Sequence, residues 1–419
     1  MEIKRDLYLN KLIDSKHNGM IKVVTGVRRC GKSYLLFNLF YQHLKEEGIA
    51  EDHIIKVDLE DRRNKALRNP DALLNYIDSH ITDKQMYYIL LDEVQHVDDF
   101  EDVLNSYLKI ENADVYVTGS NSKFLSKDVI TEFRGRGDEI KIAPLSFREF
   151  ISVFQGSKEK ALEEYMLYGG LPKVVTFAAP EKKVEYLKGL FTKTYLTDIK
   201  ERYKIKNDDD LEELIDIVAS SIGGLTNPTK LEKTFQTVKH SNISHTTIKS
   251  YLDILQDVFL VEKAVRYDIK GRKYIDTPAK YYFSDLGLRN TRLNFRQYEE
   301  THLMENLIYN ELRLRGMSVD VGVVVKNEKD ANGVSVRKQL EVDFVCNLGS
   351  QRYYIQSALR LPNKEKREQE VRSLNHINDS FKKFVVTEDM ISRYHDEDGI
   401  TYMNIFEFLL NEDCLSNGY

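Results

Sequence analysis

The sequence predicts an α/β protein that begins with a parallel β-sheet covered by helices on both faces. Five short apolar runs, at 20–25, 54–59, 87–91, 114–118 and 139–143, alternate with helical stretches. Strands that are apolar almost throughout are buried on both faces, which is typical of parallel sheets. The chain has 419 residues, 42% of them hydrophobic. That length suggests about two to four domains with real cores.

Composition excludes several classes of protein. The formal net charge is −6, so any surface that binds nucleic acid must be a local patch. The three cysteines are Cys30, Cys346 and Cys414, and without a CxxC pair they indicate neither a disulfide framework nor a zinc cage. No apolar run approaches the ~18 residues of a spanning helix, and the N-terminus lacks a signal-type core. We therefore expect a reduced, cytoplasmic protein with no membrane partner.

A phosphate-binding loop is predicted between the first strand and the following helix. Gly26 to Ser33 read GVRRCGKS, which matches GxxxxGK[ST]. The glycines let backbone N–H groups turn toward phosphate oxygens, and the helix N-terminus adds a positive dipole end. Arg28 and Arg29 either bind phosphate or pair with carboxylates elsewhere. The residues expected to bind the nucleotide, most simply ATP, are Gly26, Val27, Arg28, Arg29, Cys30, Gly31, Lys32, Ser33 and Tyr34.

The third strand ends in two acidic residues that suit the chemistry of this loop. Lys32 is expected to reach the β- and γ-phosphates, and the Ser33 hydroxyl to coordinate magnesium. Asp92 follows the apolar run YYILL and would place a carboxylate beside the same ion. Glu93 would act as the general base that polarises the attacking water. The alternative is that Asp92 and Glu93 only begin a solvated loop.

Further candidate catalytic residues follow the fourth strand and precede the fifth. Ser120 and Asn121 either contact the γ-phosphate and its water or form a plain turn. Arg134 and Arg136, in FRGRGDE, are candidate arginine fingers, which stabilise transition-state charge and often come from a neighbouring subunit. Their alternative is a surface ion pair.

The middle of the chain predicts a helical stretch followed by a winged helix. Residues 147–205 are mostly helical, and 206–292 have the order helix, helix, helix and hairpin. Residues 239–290 carry nine Lys or Arg against six Asp or Glu, a net of +3. The module either binds DNA or only contacts proteins. Its candidate nucleic-acid residues are His245, Thr247 and Lys249 on the recognition helix and Lys270, Arg272 and Lys273 on the wing.

The last part of the chain, 293–419, predicts a separate α/β domain. Glu305 on a helix and Asp343 on a strand are similar to the metal-ligand positions of PD-(D/E)xK nucleases. Gln356 stands where a second acidic residue is expected, and Ala358 stands where the lysine is expected. The domain is therefore predicted to be a degenerate, restriction-endonuclease-like fold that binds metal poorly.

Together these motifs resemble a known family. GVRRCGKS, YYILLDE, VTGSNS, RGRGDEIKIAPLSFREF and YGGLP closely resemble prokaryotic AAA-type P-loop ATPases with a winged helix and a nuclease-like C-terminal domain of unknown function. The ATPase core is predicted over 1–146, and the resemblance implies that the helical stretch 147–205 after it is a lid. It also implies that Pro172, in a Gly-Leu-Pro element, lies near the nucleotide base. The alternative for that element is a plain helix break.

Three functional hypotheses follow, and the sequence leaves them open. The first is an ATPase, using ATP and Mg²⁺, that couples nucleotide state to engagement of nucleic acid or a protein partner. The second is a metal-dependent nuclease gated by ATP. The third is a signalling ATPase that controls assembly, without nucleic acid and with self-association through the ATPase domain.

Overall fold

The chain divides into two compact units in a computed structural model, which describes residues 3–119, 133, 135–205, 207–239, 243–329 and 335–416. The first unit comprises Met1–Pro144, Leu171–Lys173 and Asp257–Phe259. The second comprises Leu145–Gly170, Val174–Gln256 and Leu260–Tyr419. Over the described ranges, no helix has both the length and the apolar character needed to cross a membrane.

The first unit is built on a five-stranded parallel sheet, and the five predicted strands are confirmed. Its strands are β1 (Ile21–Gly26), β2 (Ile54–Asp58), β3 (Tyr87–Asp92), β4 (Ala113–Thr118) and β5 (Gly137–Ile142). Their order is β2, β3, β4, β1, β5, and each neighbouring pair is parallel. Because β4 lies between β1 and β3, the carboxyl ends of these three strands meet at one edge of the sheet.

Helices cover both faces of this sheet. On one face, Leu73 and Phe100 belong to an apolar core that includes Ile21 of β1. On the other face, the Phe40 ring lies 4.5 Å from the Tyr116 ring, centroid to centroid. Among the described residues before 145, the helices are α1 (Asp6–Asp14), α2 (32–46, in α, π and α segments), α3 (Pro70–His80) and α4 (Phe100–Tyr107).

The second unit contains an eight-stranded mixed sheet. The strands are β6 (Val261–Asp268), β7 (Lys273–Phe283), β8 (Ser318–Lys329), β9 (Ser335–Leu348), β10 (Gln351–Ala358), β11 (Lys382–Thr387), β12 (Tyr394–His395) and β13 (Ile400–Asn404). Their order is β12, β13, β11, β10, β9, β8, β6, β7. The pairs β13–β11, β11–β10 and β8–β6 are parallel, and the other neighbouring pairs are antiparallel.

The chain from residue 145 onward is rich in helices. These are α5 (Phe147–Ile151), α6 (Lys158–Tyr168), α7 (Pro172–Val175), α8 (180–203), α9 (Asp208–Ser220), α10 (228–239), α11 (His245–Asp257), α12 (Leu286–Arg292), α13 (Glu300–Leu314), α14 (Lys364–Val371) and α15 (Ile405–Leu410). Short 3₁₀ helices occupy Glu51–His53, Arg62–Arg68, Val94–His96, Leu374–His376 and Glu412–Leu415. The order α9, α10, α11 and the β6–β7 hairpin matches the helix, helix, helix and hairpin that the sequence predicts.

The β6–β7 hairpin is part of the same sheet as the strands of the C-terminal module. Arg266, Tyr267 and Asp268 of β6 pair in parallel with 321–323 of β8. The predicted domain boundary between 292 and 293 therefore falls between two parts of one sheet. Sequence periodicity could not reveal this pairing, because hydrogen bonds between strands that are distant in the chain leave no local pattern.

A buried carboxyl group holds the turn after α6. Asp285 accepts a hydrogen bond from the Gly170 N–H (2.8 Å) and caps α12 by accepting one from the Leu288 N–H (3.0 Å). Burial raises the pKa of Asp285 to about 6, although its backbone donors lower it. A Cβ atom at Gly169 would lie 2.2 Å from the same carboxyl group, so the double glycine of YGGLP is required by packing.

Candidate functional site

The loop between β1 and α2 has a backbone that only glycine can supply at two positions. Gly26 ends β1 with φ of +134°, and a Cβ atom there would lie 2.0 Å from the Ile142 carbonyl oxygen of β5. Gly31 has φ of +104° and immediately precedes the first helical residue, Lys32. L side chains avoid both conformations. The loop can therefore turn tightly against β5 and deliver the N-terminus of α2 to the end of β1.

Two buried groups that the motif does not reveal anchor the loop. The Arg5 guanidinium donates to the Cys30 carbonyl oxygen (3.1 Å) and to the Ala143 carbonyl oxygen (2.7 Å). The Cys30 thiol is buried and donates to the Ile142 carbonyl oxygen at 3.7 Å. Cys30 thus contributes packing to the loop. Sequence reasoning missed Arg5 because it lies outside the motif and contacts it only through the fold.

Lys32 lies against the inner side of the loop. Its side chain is buried, and its ammonium group donates to the carbonyl oxygens of Gly26 (3.2 Å) and Val27 (3.3 Å). Hydrogen bonds between two charged groups are stronger than those from a charged donor to a neutral carbonyl. An anionic phosphate can therefore replace these two carbonyl partners.

Asp92 connects the loop to the ends of two neighbouring strands. Its buried carboxyl group, at the end of β3, accepts a hydrogen bond from the Thr118 hydroxyl at the end of β4, and the Ser33 hydroxyl is near enough to lower its pKa. Burial raises the pKa of Asp92 to about 6, and the two hydroxyl donors oppose that rise. The two residues predicted to hold magnesium thus lie near each other. Thr118 ends the fourth predicted strand, just before the candidates Ser120 and Asn121.

Glu93 has a strained backbone at the same edge of the sheet. Its φ of 52° lies in the left-handed region, which a residue with a side chain rarely adopts. Its N–H donates to the Thr118 hydroxyl oxygen at 2.9 Å, and the Gln95 side-chain amide donates to its carboxylate. Thr118 therefore contacts both acidic residues at once. Gln95 is a second contact that the motif does not reveal.

The other predicted nucleotide-binding residues surround the loop. The Pro172 side chain lies 3.9 Å from where a Cβ atom on Gly31 would be, so the Gly-Leu-Pro element is beside the loop and also begins α7. Tyr34 is partly exposed on α2. Arg28 is half-buried, and Arg29 is exposed with φ of 65°. Contact of Pro172 with a nucleotide base stays a prediction.

One of the candidate arginine fingers is at the wrong end of the sheet for its own nucleotide site. The Arg136 carbonyl accepts from the Ile21 N–H, at the amino end of β1, whereas the loop follows the carboxyl end. The length of β1 separates them, about 17 Å at 3.3 Å per residue. The backbone of Arg136 is therefore far from the loop of its own chain, and a role as an arginine finger stays a prediction. Ser120, Asn121 and Arg134 lie outside the described residues.

The predicted nucleic-acid residues belong to the second unit and form two exposed groups. His245 and Lys249 are exposed on α11, and Thr247 is half-buried with its hydroxyl group 2.8 Å from that of Ser244. Lys263 forms an ion pair with Asp276 of β7 at 2.5 Å and lowers the pKa of Asp276. The charge of Lys249 lowers the same pKa further. Lys249 is therefore close to the hairpin. The exposed cations of the β6–β7 turn are Lys270, Arg272 and Lys273.

The two predicted nuclease-like residues converge on a buried lysine. The Lys280 ammonium, from β7, lies 2.8 Å from Glu305 Oε1, 2.7 Å from Glu341 Oε1 and 4.0 Å from Asp343 Oδ1. Burial raises the pKa of Asp343 and the neighbouring Glu305 raises it further, while Lys280 lowers it. In the part of the chain that the structure describes, no group of three or more His, Cys, Asp or Glu is arranged to hold a metal ion. A metal role for Glu305 and Asp343 stays a prediction.

The remaining nuclease-like positions lie on β10. The Gln356 side-chain oxygen accepts from the Asp343 N–H at 3.4 Å, a long backbone contact. Ala358 is buried in the apolar core beside β10. Lys280 could not be predicted from the motif, because it comes from the hairpin that the sequence assigns to another domain.

Comparison with known proteins identifies related chains. Residues 18–151 match a family model described as an AAA domain, and residues 159–299 match a domain of unknown function, DUF8612. An uncharacterised protein of Haemophilus influenzae is 34% identical over 417 residues, covering 97% of this chain and 98% of that protein. The uncharacterised protein MJ1544 of Methanocaldococcus jannaschii is 31% identical over 388 residues, covering 88% and 80% respectively.

A solved structure shares part of the fold. The Walker-type ATPase PABY2304 of Pyrococcus abyssi aligns with a TM-score of 0.50 and 16% sequence identity. The alignment covers 70% of this chain and 96% of that one. At this identity the likeness concerns the fold alone.

Replacing Gly26 tests whether the backbone of the loop is as constrained as described. Gly26→Ala forces a Cβ atom against the Ile142 carbonyl and a side chain into a disfavoured φ, so we expect the free energy of unfolding to fall by about 3 kcal/mol. Gly48→Ala is the matched control, because Gly48 has φ of +86° but open space around it. Its expected loss is about 1 kcal/mol. Urea unfolding compares the two, and equal losses would contradict the close packing at Gly26.

Proposed function

The chain is an AAA-type P-loop protein of the same family as the Haemophilus influenzae and Methanocaldococcus jannaschii proteins, and from this premise we propose that it binds and hydrolyses ATP with magnesium. The observation that carries the proposal is that Asp92, at the end of β3, lies at the sheet edge where the loop leads into Ser33, whose hydroxyl group lowers the pKa of the Asp92 carboxyl. The two residues are distant in sequence. The order of the sheet brings them together at the edge where parallel α/β sheets bind their ligands.

The loop and α2 supply the groups that bind phosphate. Backbone N–H groups of the loop would bind the phosphates, and the N-terminus of α2 would add its positive dipole end. Lys32 exchanges the Gly26 and Val27 carbonyl oxygens for oxygens of the β- and γ-phosphates. The Arg5 hydrogen bond to the Cys30 carbonyl fixes the loop before the nucleotide arrives, which reduces the entropy lost on binding.

The side chains of Ser33 and Asp92 suit a magnesium ion. Magnesium prefers hard oxygen ligands, and this pair offers one hydroxyl oxygen and one carboxylate oxygen. Desolvation destabilises the charged form of Asp92, and a divalent cation would offset that cost. When bound, magnesium neutralises charge that develops on the β- and γ-phosphate oxygens.

Glu93 is the group we assign to the attacking water. Its carboxylate accepts from the Gln95 amide, which orients it, and the strained backbone at Glu93 fixes the direction of its side chain. A carboxylate that accepts a hydrogen bond from water makes the water oxygen more nucleophilic and can take up its proton. Thr118 acts as a positioning residue, since its hydroxyl group contacts both Asp92 and Glu93.

The second part of the proposal concerns what the nucleotide state controls. Exposed cations of the β6–β7 turn, with Lys249 near the same hairpin, support engagement of nucleic acid through phosphate contacts. A protein partner is the alternative, because the element order of a winged helix serves both uses. Because the backbone of Arg136 is far from the loop of its own chain, an arginine finger at this position would complete the site of another copy, through self-association.

ATP turnover with and without DNA tests both parts of this proposal. We expect magnesium-dependent hydrolysis that falls at least about 100-fold in Glu93→Gln, because the general base is lost. We also expect double- or single-stranded DNA to raise turnover in the wild type. The triple variant Lys270→Ala, Arg272→Ala, Lys273→Ala should lose that stimulation and keep its basal rate. Release of inorganic phosphate is the measurement.

Controls distinguish the role of Glu93 in ATP hydrolysis from the role of the hairpin in stimulation by DNA. Lys182→Ala removes an exposed lysine far along the chain from the hairpin and should leave stimulation intact. Turnover that is unaffected by DNA would assign the hairpin to protein contacts. Turnover that survives in Glu93→Gln would contradict the role given to Glu93.

The pKa of Asp92 predicts how magnesium-dependent binding responds to pH. With a pKa of about 6, the Asp92 carboxyl is largely ionised at pH 7.5 and about one-tenth ionised at pH 5. Protons compete with magnesium for that carboxylate, so the enhancement of nucleotide binding by magnesium should fall about tenfold over this range. Asp92→Asn is the control, because any remaining pH dependence comes from ATP itself. Isothermal titration calorimetry gives both affinities, and identical profiles for the two proteins would refute the assignment.

A further inference from the structure

A buried ammonium group lies among three carboxylates in the second unit. Lys280 of β7 contacts Glu305 of α13 at 2.8 Å and Glu341 of β9 at 2.7 Å. Asp343, also on β9, has an oxygen 4.0 Å from the same nitrogen. The side chain of Lys280 is 3% exposed, so these carboxylates, with little water, form its surroundings.

Other protein groups orient two of these carboxylates. The Tyr282 hydroxyl donates to Glu305 Oε1 at 2.6 Å, which is the oxygen that also accepts from Lys280. The Ser357 N–H donates to Asp343 Oδ2 at 2.9 Å. Both donors belong to strands of the sheet. The cluster is therefore held together by hydrogen bonds within the protein, with directions set by β7, β9 and β10.

The distances distinguish an ammonium site from a metal site. A divalent cation takes carboxylate oxygens at about 2.0–2.6 Å, whereas charge-assisted N–H···O contacts are about 2.7–2.9 Å. The contacts to Glu305 and Glu341 have the second length. A divalent cation in the same position would meet the charge of Lys280 at close range, which is strongly unfavourable in a buried site.

We propose that Lys280 is the resident cation of this nuclease-like cluster and that it excludes divalent metal from Glu305 and Asp343. The module then needs no metal to fold and does not cleave phosphodiester bonds, since the metal-dependent reaction has no ion to activate water. Lys280 also joins the β6–β7 hairpin to α13, because the buried ion pair spans the two elements. This inference is independent of the function proposed for the first unit.

Manganese binding by the full chain tests the exclusion directly. The background is Ser33→Ala with Asp92→Asn, without nucleotide, so that the first unit does not contribute its own proposed metal ligands. In this background, chains with Lys280 should show no saturable Mn²⁺ binding by electron paramagnetic resonance. Lys280→Met, similar in length but uncharged, should bind one Mn²⁺ per chain, and Mn²⁺ should raise its Tm.

Matched variants test whether the charge of Lys280 excludes Mn²⁺ and whether Glu305 and Asp343 bind it. Lys280→Arg keeps the positive charge and should remain unable to bind Mn²⁺. Adding Glu305→Gln and Asp343→Asn to Lys280→Met should abolish the acquired binding. A folded Lys280→Met chain that binds no Mn²⁺ would overturn the proposal.

A second measurement decides the matter even if Lys280→Met fails to fold. Two proteins that both have Lys280 are titrated with Mn²⁺: one with Asp343 and one with Asp343→Asn. Each is also incubated with plasmid DNA. Absence of any difference supports the proposal. Mn²⁺ binding or DNA cleavage that is lost in Asp343→Asn would overturn it and would make Lys280 part of an active nuclease site.

Discussion

The site of the first unit depends on one buried carboxyl group, that of Asp92. It ends β3, accepts a hydrogen bond from Thr118 at the end of β4, and has its pKa lowered by the nearby Ser33 hydroxyl after the loop. Three separate parts of the chain therefore meet at a single side chain. Desolvation raises the pKa of this carboxyl group to about 6, so the site gains stability when a cation arrives. That electrostatic cost links the geometry of the sheet to the proposed use of magnesium.

The second unit also contains buried carboxylates, but their charge is compensated within the protein. Glu305 and Asp343 are also buried, but the protein supplies a cation of its own from β7, Lys280. Removing one partner from such a cluster leaves charge uncompensated, which is why buried ion pairs are hard to change singly. We thus propose that one carboxylate site of the chain binds a divalent metal and that the other excludes it. The difference comes from the groups around the carboxylates and not from the carboxylates themselves.

The sequence predicts much of the first unit because its signals are local. The glycines of GVRRCGKS have the torsion angles that the motif requires, and the apolar runs form the five parallel strands. The place of Arg136 could also have been predicted, since a residue just before a parallel strand lies at the edge opposite the ligand. Arg5 could not, because its contact with Cys30 is created only by the fold.

Prediction of the second unit was limited by long-range pairing. The strands and helices of the predicted modules are present, yet β6 pairs with β8 and makes them one sheet. Lys280 follows from that pairing, because a residue of the predicted wing reaches carboxylates of the predicted nuclease-like domain. Sequence patterns describe each element but carry no information on which distant strands become neighbours.

The central claim is that the loop around Lys32 binds ATP, and equilibrium binding of a non-hydrolysable ATP analogue tests it most directly. Calorimetry would compare the wild type with Lys32→Ala at equal magnesium concentration. One analogue per chain, with affinity at least about tenfold weaker in Lys32→Ala, is the predicted result. Equal affinities in the two proteins, or no binding to the wild type, would contradict the account.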